Sequence, residues 1–182
     1  MLSVSLAFLA AGLASAGNIV SNGTFEAGLS GWSETEWYGG TDHWAANGTA
    51  HTGTLSASIA GNGTLKQSFT PHTTDYIIET SFWVKQADPT YPNLVIVHYL
   101  DGTFSSESIV NATTAWTKHY LTLDSGKKIN GISFVGNQGP LGEADPRFYV
   151  DDVMVDLVPE PASMAALGLG AVAMLRRRNR KQ

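Results

Sequence analysis

From Tyr76 to Lys85 apolar and polar side chains take turns: Tyr76, Ile78, Thr80, Phe82 and Val84 fall on one face, with Ile77, Glu79, Ser81, Trp83 and Lys85 on the other. A period of two is the signature of a half-buried strand. The run from Leu94 to Leu100 is apolar on both faces and predicts a central strand. Thr54 to Ala60, Thr64 to Phe69, Thr103 to Val110, Trp116 to Leu123, Ile129 to Val135 and Phe148 to Leu157 bring the set to about eight. Asn-Gly at 22, 47, 62 and 130, with Asp-Gly at 101, supplies tight-turn chemistry between runs. Helical periodicity is almost absent from this stretch. The prediction is an all-β fold, a two-sheet antiparallel jelly-roll sandwich.

The two ends follow a different pattern. Val4 to Leu13 is apolar and Ala14-Ser15-Ala16 is a small-x-small cleavage pattern, which predicts a signal peptide at 1–16 removed by signal peptidase, although Met1-Leu2-Ser3 carries no Lys or Arg. At the other end, residues 162–175 are uncharged and apolar. As a helix they would reach about 21 Å against a hydrocarbon core of about 30 Å, a marginal anchor. The cluster Arg176, Arg177, Arg178, Arg180 and Lys181 would stay on the cytoplasmic side, leaving the body outside. Pro159 and Pro161 hold Glu160 in an extended segment that a protease can read. This order, Val158-Pro159-Glu160-Pro161, a short apolar helix and a basic terminus, resembles the PEP-CTERM sorting signal. The resemblance implies exosortase processing near Pro159, Glu160 and Pro161, transient anchoring in the inner membrane, and export to the cell surface. The expected organisation is a signal peptide at 1–16, one jelly-roll domain at 17–157 and a sorting signal at 158–182.

Charge sharpens the reading of the body. Residues 17–160 hold six basic and sixteen acidic side chains, a net charge of −10. Such a body repels nucleic acid, whose binding needs clustered Lys and Arg, and suits a neutral glycan or a cation. The absence of cysteine excludes a disulfide scaffold, a thiol enzyme and a Cys-ligated zinc module.

The opening Asn18-Ile19-Val20-Ser21-Asn22-Gly23-Thr24-Phe25-Glu26 with Gly31-Trp32, the middle segment Gly63 to Phe69 leading into Tyr76 to Trp83, and Phe148-Tyr149-Val150-Asp151-Asp152-Val153 carry a second resemblance. They are similar to carbohydrate-binding modules with a galactose-binding-like jelly roll. That resemblance implies a core role for Trp32 and a structural calcium held by Glu26 and one of Asp151 or Asp152. Calcium takes six to eight oxygen ligands, so carbonyls and water would complete the set. Alternation sends Asp151 and Asp152 to opposite faces, and Asp152 is favoured.

Trp32, Trp37, Tyr38 and Trp44 crowd a glycine- and acid-rich stretch. Exposed flat rings can stack on sugars, which makes Trp37, Tyr38 and Trp44 candidate ligand residues, with Glu34, Glu36, Asp42 and His43 as hydroxyl partners. The alternative is a small satellite core under the loop. The five histidines show no metal spacing, and no nucleophile elbow, phosphate loop or dinucleotide fingerprint is present. Glu34 with Glu36, or Glu143 with Asp145, could in principle form an acid/base pair for glycoside hydrolysis, but nothing in the sequence sets their separation, and turn-rich surroundings favour solvated acids. The expected function is a non-catalytic surface or extracellular-matrix protein that binds or organises polysaccharide. The competing readings are a structural matrix protein that binds no sugar, and a small glycoside hydrolase or lyase.

Overall fold

The structure is a computed structural model of the full chain, and it describes residues 17–35, 43–86, 93–109, 113–136, 148–157 and 170. The chain divides into two units, Gly17–Leu157 and a second formed by Met1–Ala16 with Val158–Gln182. Only the first is described in detail. Pro159, Glu160 and Pro161 lie outside the described residues, as do the expected signal peptide and nearly all of the apolar tail. Among the described residues no helix is long and apolar enough to cross a membrane.

Eleven strands are described: β1 Gly17–Asn18, β2 Ser33–Thr35, β3 Ala45–Asn47, β4 Ser56–Ile59, β5 Gly63–Thr73, β6 Ile77–Gln86, β7 Asn93–Tyr99, β8 Phe104–Ile109, β9 Thr117–Tyr120, β10 Lys128–Gly136 and β11 Phe148–Leu157. A single 3-10 turn, Thr74–Tyr76, joins β5 to β6. One sheet has the order β3-β4-β11-β6-β9, with β1 added to β11, and the other has β2-β5-β10-β7-β8. Every pairing is antiparallel. The fold is the all-β sandwich that the strand pattern predicts. It adds three short strands, β1, β2 and β3, that are too brief to leave a periodic signal.

The core forms where the inward positions of the two sheets meet. Phe82 and Val84 of β6 and Phe148 and Val150 of β11 face Leu65 of β5, Val95 of β7 and Phe134 of β10, all essentially inaccessible. Phe82 and Phe134 meet edge to face across the sheets at 5.0 Å, a geometry that aligns ring edge with ring face. Burying each of these side chains contributes about 1.5–3 kcal/mol.

Strict alternation fails at three places, each with a local cause. One is a β11 bulge between Asp151 and Met154, which puts both Val150 and Val153 in the core and brings Asp151 and Asp152 to the same side rather than the opposite faces expected. Ile78 is 62% exposed although it shares a phase with Phe82. The β6–β11 register shifts between Asp156 and Leu157, so Ile77 turns toward the core and Ile78 away. Asn130-Gly131, expected in a turn, instead lies inside β10 at a bulge between Ile129 and Gly131. A Cβ at Gly131 would stand 2.9 Å from the Gln67 carbonyl oxygen, so close strand approach, not turning, accounts for this glycine. Asp101-Gly102 does turn the chain from β7 to β8, with Gly102 at φ +83° and the Thr103 amide donating to Asp101 Oδ1 at 2.9 Å.

Candidate functional site

Two regions bring chemistry-bearing side chains together. The first lies where the chain's opening turn meets β11. Asn22 braces that turn: its Nδ2 donates to the Gly28 and Ser30 carbonyls, and its Oδ1 accepts from the Ala27 amide. Asn22 and Phe25 take positive φ, and Phe25 drops its ring into the core while Glu26 is turned outward. The turn docks on β11 through the Val153 amide, which donates to the Gly23 carbonyl at 2.9 Å. A Cβ at Gly23 would fall 2.2 Å from the Val153 oxygen, so only glycine fits. On β11 a bulge between Asp151 and Met154 places Asp152 at φ +46°.

Glu26, Asp151 and Asp152 all close on one loop, residues 51–55. Glu26 Oε1 accepts from the Thr54 and Leu55 amides at 2.8 and 2.9 Å, and Oε2 from the Thr54 hydroxyl at 2.7 Å. These bonds, the Leu55 amide foremost, hold the Glu26 carboxyl below the usual carboxylate range. Buried Asp151 accepts from the His51 and Thr52 amides through Oδ2 and from the Asp152 amide through Oδ1. Burial nevertheless pushes its carboxyl up, against the opposing pull of those amides. Asp152 pairs with His51 Nδ1 at 2.6 Å and accepts from the Thr52 hydroxyl at 2.6 Å. The expected ligands Glu26 and Asp152 therefore act on the same loop. They fit calcium only in part: each carboxylate already receives N–H or O–H donors, and among the described residues no group of three acidic or histidine side chains is placed to hold a metal.

The second region is the aromatic stretch. Trp32 packs between Phe25, at 5.2 Å, and Phe134, at 6.1 Å, and its Nε1 donates to the Asn22 carbonyl. This is the core role expected of it. Trp44 corrects the expectation of a stacking ring: it is 3% exposed and sits edge to face on Phe148 at 5.8 Å. The start of β3 carries it inward under the sheet. Trp37, Tyr38, Glu36 and Asp42 lie outside the described residues. The segment that holds them is bracketed by Glu34 on β2 and His43 just before β3, whose side chains pair at 2.8 Å. Strands β2 and β3 are edges of the two different sheets, so the pair links one sheet's edge to the approach to the other's.

Beside Glu34 runs the outer face of the five-stranded sheet. Its cross-strand register sets Ser33, Lys66, Ser133, Ile96 and Ser106 in one row. His98 pairs with Ser133 Oγ at 2.8 Å. Burial, aided by the nearby Lys66 charge, lowers the His98 pKa and keeps the ring neutral. The face thus mixes hydroxyls, an imidazole and one ammonium around an apolar centre.

Two further carboxylates line a cavity, and both are engaged. A cavity of about 200 Å³ beside the 3-10 turn is lined by Asp75 and Glu79 among apolar Ile78, Leu121 and Leu123. Asp75 accepts from Ser125 Oγ and the Gly126 amide, while Glu79 accepts from Lys118 and Ser81. The Lys118 bond first, then Ser81, keeps Glu79 below its ordinary range, so Glu79 is not poised to donate a proton. Glu143 and Asp145 lie outside the described residues. Sequence reasoning missed His51. Its partner Asp152 is 101 positions away, so no local spacing could signal the pair.

This architecture is that of a carbohydrate-binding-module-like β-sandwich. It superimposes on "Family 16 Carbohydrate Binding Module-2" with TM-score 0.55 at 18% identity, covering 75% of this chain and 98% of that one. TmCBM61 in complex with beta-1,4-galactotriose gives TM-score 0.53 at 16% identity, covering 79% and 99%. The enzymatically active domain of Bacteriophage CBA120 tailspike protein 4 gives TM-score 0.56 at 16% identity, covering 78% of this chain and 21% of that one. Residues 157–181 match the PEP-CTERM protein-sorting motif, which marks the chain as an exported protein with a C-terminal sorting signal. No curated protein matches the chain.

Proposed function

We propose that this chain is an exported, non-catalytic protein that binds polysaccharide at the cell surface or in the extracellular matrix. On this reading the sorting signal is processed by an exosortase after transient retention in the inner membrane. The observation that carries the binding role is the Glu34–His43 pair at the step between the two sheets. Its two residues flank in sequence the segment that holds Trp37 and Tyr38, and Glu34 lies on β2 beside a sheet face of hydroxyl and imidazole groups. Flat rings supply apolar area for pyranose faces, and short polar side chains take the hydroxyls. Structural neighbours that carry sugar-binding names or bound galactotriose support the same reading. The engaged acids at the cavity favour binding over hydrolysis.

Titration calorimetry of the full chain with beta-1,4-galactotriose and xylohexaose tests this. We expect binding by the native chain and loss of most of the affinity on Trp37→Ala with Tyr38→Ala. Unchanged affinity in that variant would move the site away from the loop. Calcium at the clasp of Glu26 and Asp152 is a further proposal, supported by the convergence of both carboxylates on one loop. A chelator that leaves the melting temperature unchanged would remove it.

A further inference from the structure

The outer face of the six-stranded sheet carries an aromatic surface that neither the fold nor the sorting signal requires. Since Phe82, Val84, Phe148 and Val150 point into the core, Trp83, Lys85 and Tyr149 point outward. Directly paired residues share a face, so Lys118 opposite Trp83 and Tyr120 opposite Ser81 are outward too. Trp116 stands just before β9 on the same side, edge to face with Tyr149 at 6.4 Å and with His51 at 5.9 Å. His51 stacks flat on Trp83 at 3.7 Å. Lys85 lies over Tyr149 at 5.5 Å, and Lys118 over Tyr120 at 4.9 Å.

Loop packing explains only part of this surface. His51 on Trp83 secures the 51–55 loop, and Asp152 fixes the imidazole. Trp116 and Tyr120 belong to the edge strand and its approach. Tyr120 is 63% exposed, and neither ring joins the core. A solvent-facing side of an antiparallel sheet is ordinarily polar, so four aromatic rings there call for a partner.

We infer that this face is a second glycan-contacting surface, on the opposite sheet from the row of Ser33, Lys66, Ser133, Ile96 and Ser106, and that it takes a neutral polysaccharide chain laid along β9. Trp116 and Tyr120 are four residues apart on an extended segment, about 13 Å at about 3.3 Å per residue. That span lets two rings touch separate sugars of one chain. The charges favour a neutral ligand: Lys118 is tied to Glu79 at 2.7 Å and His51 to Asp152. The body's net charge of −10 repels a polyanion. Lys85 makes no ion pair among the described residues and is the donor available to a sugar hydroxyl.

The inference rests on glycan binding but not on which loop performs it, and affinity electrophoresis of the full chain separates the two. Gels would contain xylan, beta-1,4-galactan or mixed-linkage glucan, with polygalacturonate as the charged control. The native chain should be retarded by at least one neutral polymer and not by polygalacturonate. Trp116→Ala and Tyr120→Ala should each weaken the retarding interaction about five- to tenfold, as expected for loss of one stacking ring, with Tyr120→Ala leaving the melting temperature in place. Full retardation of both variants, with loss only in Trp37→Ala/Tyr38→Ala, would overturn this face and leave the loop standing. No retardation of the native chain by any polymer would overturn both. Tighter retardation by polygalacturonate than by neutral polymers would overturn the ligand class.

Discussion

Trp32 and Trp44 differ from Trp83 and Trp116 in where the backbone sends them. The first pair follows turns and a very short strand, yet both rings pack against core phenylalanines. The second pair belongs to β6 and the approach to β9, where regular structure suggests structural work, yet both rings lie on the outer face. A glycine-rich stretch can bury its aromatics because its turns re-aim them freely. A strand cannot: its period of two commits every second side chain to the outside once its neighbours are in the core. For this protein, the outward phase of β6 and of the approach to β9 leaves Trp83 and Trp116 outside the core.

The contrast predicts a graded set of effects. Trp44→Ala, which empties a buried site against Phe148, should cost about 3–5 kcal/mol in urea unfolding, while Trp116→Ala should cost far less. Equal losses would erase the distinction between core and surface rings. Asp151→Ala strands the amides of His51, Thr52 and Asp152 and should cost about 1–3 kcal/mol. Amide exchange at His51 and Thr52 should accelerate in the same variant, and unaltered exchange would show that the loop is held by other means. His51→Ala removes one stacked ring from Trp83 and should cost about 0.5–1.5 kcal/mol beyond lost area.

Smallest and most specific is a pH effect. The native Glu26 carboxyl sits below its ordinary range, so its contribution to stability is complete above that range and is lost as pH falls through the lowered native value. Asp151 works with opposite sign, since its raised carboxyl makes folding more favourable as it protonates and less so as pH rises through its native value. Glu26→Gln should therefore flatten the acid limb of the stability profile. A variant that kept the native slope below pH 4.5 would assign that limb to other groups.

Much of the fold could be read from phase. The alternation through β6 puts Phe82 and Val84 on one face, and the structure buries both, because period two survives wherever a strand is long and one face is buried. It failed at Ile78, at Asp151-Asp152 and at Asn130-Gly131, where one-residue register shifts change the phase and leave no mark in composition. The resemblance pairs Glu26 with Asp152 as calcium ligands, and the structure brings both to the 51–55 loop, where they receive N–H and O–H donors. His51, the residue that joins this loop to the aromatic face, had no local signature because both of its partners are distant in sequence. Trp44 was misjudged because nothing in Ala45-Ala46-Asn47 announces an edge strand that turns the preceding ring inward.

The central claim is that an exported sandwich uses outward aromatics to hold neutral glycan. Its most direct test is retention of the full chain on matrix polysaccharide prepared from the cells that export it, against an unrelated acidic protein of similar size and charge. The account predicts selective retention, released by the soluble neutral polymer and reduced in Trp116→Ala. Passage through the matrix with the acidic control would contradict it.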